Sequence, residues 1–177
     1  YIGGYGEFCS LYEFTLNDPG NLTCICPGEG PGSFFISGST WTGEDIWVGC
    51  QYDTGELWEI HPETCEMSSI GGGGMSCNGL AWDVVTYRLY GATNTHLIEY
   101  DPDTGDQEVI GSFGLAGKTI IGIAIDVEGR AFIWDTVSSG SSTLWEVDLG
   151  TAETTEVGPL GLTLFSSQEG DFCMEDN

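Results

Sequence analysis

Along this chain apolar residues alternate with polar ones or run in fours and fives, and no stretch sustains a 3.6-residue period over ten residues. The pattern predicts short β-strands and no long helix. Four segments share one pattern: Leu11-Tyr12-Glu13-Phe14, Leu57-Trp58-Glu59-Ile60, Leu97-Ile98-Glu99-Tyr100 and Leu144-Trp145-Glu146-Val147. Their starts lie 46, 40 and 47 residues apart, the spacing of a repeat array. A turn follows each, at Asn17-Asp18-Pro19-Gly20, His61-Pro62-Glu63-Thr64, Asp101-Pro102-Asp103-Thr104-Gly105 and Asp148-Leu149-Gly150-Thr151. Short β-rich runs come next, at 65–70, 107–110 and 154–157, closed by Gly71, Gly111 and Gly158.

Two further segments, Gly79-Leu80-Ala81-Trp82-Asp83 and Gly122-Ile123-Ala124-Ile125-Asp126, are one element, followed by Arg88-Leu89-Tyr90 and Arg130-Ala131-Phe132. Each unit therefore reads as four short strands between Gly, Pro, Asn and Asp turns. Two units are intact, 79–111 and 122–158. An earlier one, 37–71, has strands near 37–41, 45–50, 56–60 and 65–70. The N-terminal unit, about 1–36, supplies strands at 1–6, 11–16 and 22–26, and 162–166, within a closing segment 161–177, is an orphan first strand. Four-stranded units at this spacing predict an all-β, propeller-like single domain over 1–177 with about four blades. The units resemble secreted bacterial β-propeller repeats of the NHL and YVTN type, with 79–111 the best match. That resemblance implies architecture and leaves activity open.

An orphan strand has unpaired backbone groups and needs a partner. Either the C-terminal strand completes the N-terminal blade within one molecule, with Cys9 and Cys173 placed to clip the seam, or it is given to a neighbouring subunit in a head-to-tail chain. Seven cysteines, Cys9, Cys24, Cys26, Cys50, Cys65, Cys77 and Cys173, cannot all pair internally. At this density they suit a secreted protein, and with Tyr1 first they suit a mature form whose signal peptide has been removed.

Composition narrows the partners. With 28 Asp and Glu against 3 Lys and Arg the formal charge is −25, while 40 % hydrophobic and 12 % aromatic content is that of a folding chain. Lys118, Arg88 and Arg130 cannot form a basic patch, which excludes docking on nucleic acid or an anionic membrane. No apolar run of membrane-spanning length is present.

Chemistry-bearing motifs are sparse. Asp101, Asp103 and Asp106 have the alternating spacing of hard-oxygen Ca²⁺ ligands, set against a plain hairpin turn. Asp83 and Asp126 end equivalent strands and are cation candidates at one mouth of a central channel, set against turn capping. His61 and His96 belong to no catalytic motif. Cys24-Ile25-Cys26 favours disulfide over zinc chemistry, and Asn21-Leu22-Thr23 is a candidate N-glycosylation sequon on a turn. Six tryptophans suit either packing between blades or sugar stacking. The expectation is a non-catalytic, secreted structural or adhesive protein that self-associates, as a filament or surface layer, and holds no cofactor apart from a Ca²⁺ ion. The alternatives are a propeller that binds carbohydrate or Ca²⁺, then a propeller lyase or cyclase.

Overall fold

The computed structural model describes residues 2–3, 9–15, 17–27, 36–42, 47–137 and 140–162. All regular structure among them is β. The first sheet holds β1 (Ile2–Gly3), β2 (Cys9–Thr15) and β3 (Asp18–Pro27), in that spatial order. Three four-stranded antiparallel sheets follow. The second blade is β4 (Ile36–Trp41), β5 (Trp47–Gln51), β6 (Leu57–Ile60) and β7 (Met67–Gly71). The third is β8 (Gly79–Asp83), β9 (Arg88–Ala92), β10 (His96–Tyr100) and β11 (Gln107–Ser112). The fourth is β12 (Thr119–Ile125), β13 (Ala131–Thr136), β14 (Thr143–Val147) and β15 (Thr154–Pro159). Strands pair in chain order within each blade, and β8 lies between β4 and β12, so the first strands are innermost. This is the radial arrangement of a propeller.

The four Leu-x-Glu-x anchors lie in β2, β6, β10 and β14. Both faces of these strands are packed: Leu97 and Ile98 point to opposite sides and are fully buried, as is Leu57, while Glu59 and Glu99, two residues on from Leu57 and Leu97 on the same face, are half-buried. Two buried clusters dominate. One joins Leu57, Leu80, Leu89, Ile98 and Tyr100 across the second and third blades. The other joins Ala92, Leu97, Ile120, Ile123, Ile133 and Val147 across the third and fourth.

Glycines set the inner spacing. A Cβ on Gly38 would lie 2.6–2.7 Å from the backbone of Gly79 and Leu80, and one on Gly79 would lie 2.8 Å from Gly122 and Ile123. The innermost strands therefore touch backbone to backbone at one repeated position.

The turn between the third and fourth strands of a blade is also repeated. His61, Asp101 and Asp148 each accept a backbone N–H four residues on, from Cys65, Gly105 and Ala152, at 2.7–2.8 Å. Those three residues have φ of 61°, 73° and 62°. The left-handed turn residue explains one correction: β7 begins at Met67, not Cys65, because Cys65 belongs to this turn. In the first sheet Thr15 already pairs with Asp18, so Asp18 to Gly20 lies in β3, not in the turn the sequence suggests. Asn21 also lies in β3, where it is exposed. Of the expected strand 162–166, only Leu162 falls within the described residues, and Cys173 lies outside them.

Candidate functional site

Where the innermost strands begin, the repeat places one side chain just before each touching glycine: Ser37, Asn78 and Ile121. The Ser37 hydroxyl donates to the Cys77 carbonyl of the next blade. Asn78 Nδ2 donates to the Ile120 carbonyl of the blade after that, at 2.5 Å. Cys77 and Ile120 are equivalent, so one polar latch crosses two successive seams. Beside it, Cys77 N–H donates to the Tyr52 carbonyl at 3.1 Å and Ile120 N–H to the Asn94 carbonyl at 3.0 Å.

The third-to-fourth seam carries the richest polar group. Asn78, only 1 % exposed, also donates from Nδ2 to Asn94 Oδ1 at 2.5 Å, while its Oδ1 receives no hydrogen bond. That oxygen has no protein donor among the described residues, and a buried acceptor of this kind is ordinarily met by water or another donor. Ile120, the acceptor of the latch, pairs across strands with the fully buried Asp135. Its Oδ1 accepts the Thr143 N–H at 2.8 Å, and its Oδ2 lies 2.6 Å from Lys118 Nζ. These residues belong to no sequence motif; the available signal was the polar Asn78 before Gly79-Leu80-Ala81, where the next repeat has Ile121 before Gly122-Ile123-Ala124.

The acidic candidates lie elsewhere. Asp83 Oδ1 accepts the Val85 N–H at 2.9 Å and Oδ2 the Thr86 hydroxyl. Asp126 Oδ1 accepts the N–H groups of Glu128 and Arg130 at 2.9 Å, and Oδ2 meets Arg130 Nε and Nη2 at 2.7 Å. Burial pushes the Asp126 carboxyl up, but those N–H groups and the guanidinium outweigh it and hold the group below the usual carboxylate range. Asp101 Oδ1 accepts the N–H groups of Asp103 and Thr104, and Asp106 shares that exposed turn. Asp148 builds the equivalent turn. The Thr151 hydroxyl and the N–H groups of Gly150 and Thr151 lower its carboxyl pKa, against a weaker opposing effect of burial. Among the described residues no three His, Cys, Asp or Glu side chains converge as a metal-binding group.

The histidines serve local contacts: His61 Nε2 lies 2.8 Å from Glu59, and His96 Nδ1 lies 2.8 Å from the Thr95 hydroxyl. Glu99 pairs with Arg88 at 3.0 Å, and that contact raises the guanidinium pKa further. Tyr100 is buried, donates to the Gly55 carbonyl at 3.0 Å and accepts from Gln107, and burial pushes its phenol well above the ordinary range. Of the tryptophans, Trp47 and Trp134 are buried and Trp41 is exposed. Cys50 and Cys77 form a disulfide, and Cys24 and Cys65 are also half-cystines. The side chains of Cys9, Cys26 and Cys173 lie outside the described residues.

No protein-family model matches the chain, and no curated protein matches it in sequence. Solved structures do match in shape. A nidogen/laminin complex superposes with a TM-score of 0.62 at 13 % identity, over 81 % of this chain and 54 % of that one. A calcium-binding protein, regucalcin, from Agrobacterium tumefaciens gives 0.57 at 15 % identity, over 74 % and 45 %. An auxiliary nutrient binding protein from Bacteroides thetaiotaomicron gives 0.57 at 14 %, over 90 % and 44 %. At these identities the likeness shows the propeller fold alone, and this chain spans about half the length of the structures it matches or less.

Proposed function

We propose that this chain is a non-catalytic extracellular propeller whose role is structural, and that it self-associates through exchange of a blade strand. One observation carries this reading: the blade of β1–β3 is three strands wide among the described residues, beside three blades of four. In this reading the fourth strand of that blade comes from residues 162–166 of the same chain or of a neighbour, and the second choice builds a head-to-tail filament. The buried Cys50–Cys77 bond supports an oxidising, extracellular setting. Size-exclusion chromatography and electron microscopy, with and without reductant, test it. Filaments or large particles are the expected result; a discrete 19.0 kDa particle in every condition overturns it.

A second reading, a ligand-binding propeller, is supported by the buried Asn78 Oδ1, which meets no protein donor among the described residues. Two of the structural neighbours are titled as calcium-binding and nutrient binding proteins, which supports the same reading. Its test is the thermal midpoint with added CaCl₂ or sugars. A shift that disappears in Asn78→Ala supports binding at this group, and no shift with any of them removes it.

A further inference from the structure

Every blade carries the same irregularity between its last two strands. Beside the anchor leucine the last strand holds one extra residue: Leu57 pairs with Gly71 and Trp58 with Ser69, Leu97 with Gly111 and Ile98 with Val109, Leu144 with Gly158 and Trp145 with Glu156. The first sheet repeats the bulge, with Leu11 opposite Cys26 and Tyr12 opposite Cys24. Cys26 therefore holds the place that glycine holds in the other blades, and Cys24 holds the place of Ser69, Val109 and Glu156.

A second repeated position meets the bulge across each seam. The left-handed residue of the turn between the third and fourth strands is Cys65 in the second blade, Gly105 in the third and Ala152 in the fourth. A Cβ on Gly105 would run into the Gly71 carbonyl, and the Ala152 Cβ stands 3.1 Å from where a Cβ on Gly111 would be. The turn of one blade thus seats on the bulge residue of the blade before it, at the second-to-third seam and again at the third-to-fourth. Cys65 packs with Met67 against Trp47 and Ile60. Those two pair across strands as Leu89 and Tyr100 do in the third blade, where they face the preceding blade. Cys65 accordingly lies on the side of the second blade that is turned toward the first.

We propose that the half-cystine Cys65 is bonded to Cys26, a disulfide that staples the first blade to the second where the later seams rely on a turn packed against glycine. Carried back one seam, the repeated contact between turn and bulge sets these two cysteines against each other. A disulfide needs Cβ atoms about 3.5–4.5 Å apart, so the spacing at Ala152 becomes bonding geometry with an outward shift of under about 1 Å. Cys24 is a half-cystine as well. With Cys26 joined to Cys65 and Cys50 to Cys77, its partner is Cys9 or Cys173, so those two do not clip the chain ends to each other, and the odd thiol of the seven is one of them. The pairing stands apart from the self-association reading, since it holds the first blade in place whichever chain completes it.

Peptide mapping of the full chain, made in an oxidising compartment, tests the pairing. Pepsin works in acid, where thiolates are scarce and disulfides do not exchange. Without reductant the digest is expected to hold the Cys65 peptide linked to the one that contains Cys24 and Cys26, and backbone fragmentation between those two residues is expected to place the link on Cys26. Iodoacetamide added to the denatured, unreduced wild type is expected to label neither Cys26 nor Cys65, whereas Cys65→Ala is expected to expose a new label on Cys26. A link from Cys65 to Cys9, Cys24 or Cys173, or a labelled Cys65 in the wild type, overturns the pairing. The wild-type map decides the matter whether or not the variant folds.

Discussion

Cys50 in β5 is bonded to Cys77, just before β8, at the two repeat positions that Ala92 and Ile120 fill one seam later. Ala92 and Ile120 are both fully buried in one apolar cluster. The disulfide therefore replaces an apolar contact in an otherwise repeated seam, and it closes a loop with a sequence separation of 27. On the chain-entropy model such a loop is worth about 3–4 kcal/mol. Cys50→Ala with Cys77→Ile, which copies the next seam, is expected to keep the fold and lose less stability than Cys50→Ser with Cys77→Ser. The latter puts two hydroxyls into an apolar site. Urea unfolding of both pairs, with the wild type in reductant as reference, measures the order.

Gly79 has no room for a side chain between the innermost strands. A methyl there meets the backbone of Gly122 and Ile123 at 2.8 Å, and a backbone cannot swing aside as a side chain can. Gly79→Ala is expected to cost about 1–3 kcal/mol or more by overpacking. Gly150→Ala, whose nearest contact would be the Asp148 carboxylate at 3.4 Å, should cost clearly less in the same unfolding assay.

How much of this was legible beforehand follows from what repetition records. The Leu-x-Glu-x anchors and the Gly-Leu/Ile-Ala steps recur because the same side chains face the same core in every blade, so period and alternation revealed the strands. The polar latch was illegible because its donors differ in type, Ser37 and Asn78, and the third equivalent position holds the apolar Ile121. The Cys50–Cys77 pairing was hidden for the opposite reason, since seven cysteines allow many pairings and only the contact between blades selects one. Asp101 and Asp126 were legible as turn residues, but which N–H groups their carboxylates accept became clear only from the turn geometry.

Lys118 and Asp135 make the one ion pair with a fully buried carboxylate among the described residues. Removing the cation leaves that carboxylate in the interior with the Thr143 N–H as its remaining donor. Breaking a buried pair from one side costs about 3–5 kcal/mol, and the 31 % exposure of the lysine side chain places this case at or below the lower end. Lys118→Met is expected to destabilise accordingly. Lys118→Met with Asp135→Leu, which removes both charges, should recover much of the loss. Calorimetric midpoints of the two variants decide it.

Two carboxylates predict the acid limb of stability. The folded pKa values of Asp126 and Asp148 are lowered, so both groups bind protons less readily folded than unfolded. Their contribution is complete above the unfolded carboxyl value of about 3.9 and is lost as pH falls through the folded values. The midpoint should therefore drop below about pH 4. In Asp126→Asn the amide oxygen still accepts the two turn N–H groups but has no titrating charge, so part of that acid limb should flatten. Circular dichroism melts from pH 2 to 7, with approximate steps of one unit, test this.

Salt acts on the imbalance of 28 acids to 3 fixed cations. The exposed pairs Arg88–Glu99 and Arg130–Glu128 weaken as ionic strength rises, but exposed pairs contribute only about 0–1 kcal/mol each. The repulsions are far more numerous, because most carboxylates have no cation to pair with, and screening weakens them together as the Debye length falls from about 30 Å at 0.01 M to about 3 Å at 1 M. Repulsion outweighs pairing, so the thermal midpoint is expected to rise with NaCl. Each 1 kcal/mol relieved is worth about 2–4 °C in a domain of this size. Comparing CaCl₂ with MgCl₂ at equal ionic strength separates screening from a specific site. Equal shifts mean screening alone, whereas a larger Ca²⁺ shift that Asn78→Ala abolishes assigns the excess to the Asn78–Asn94 group.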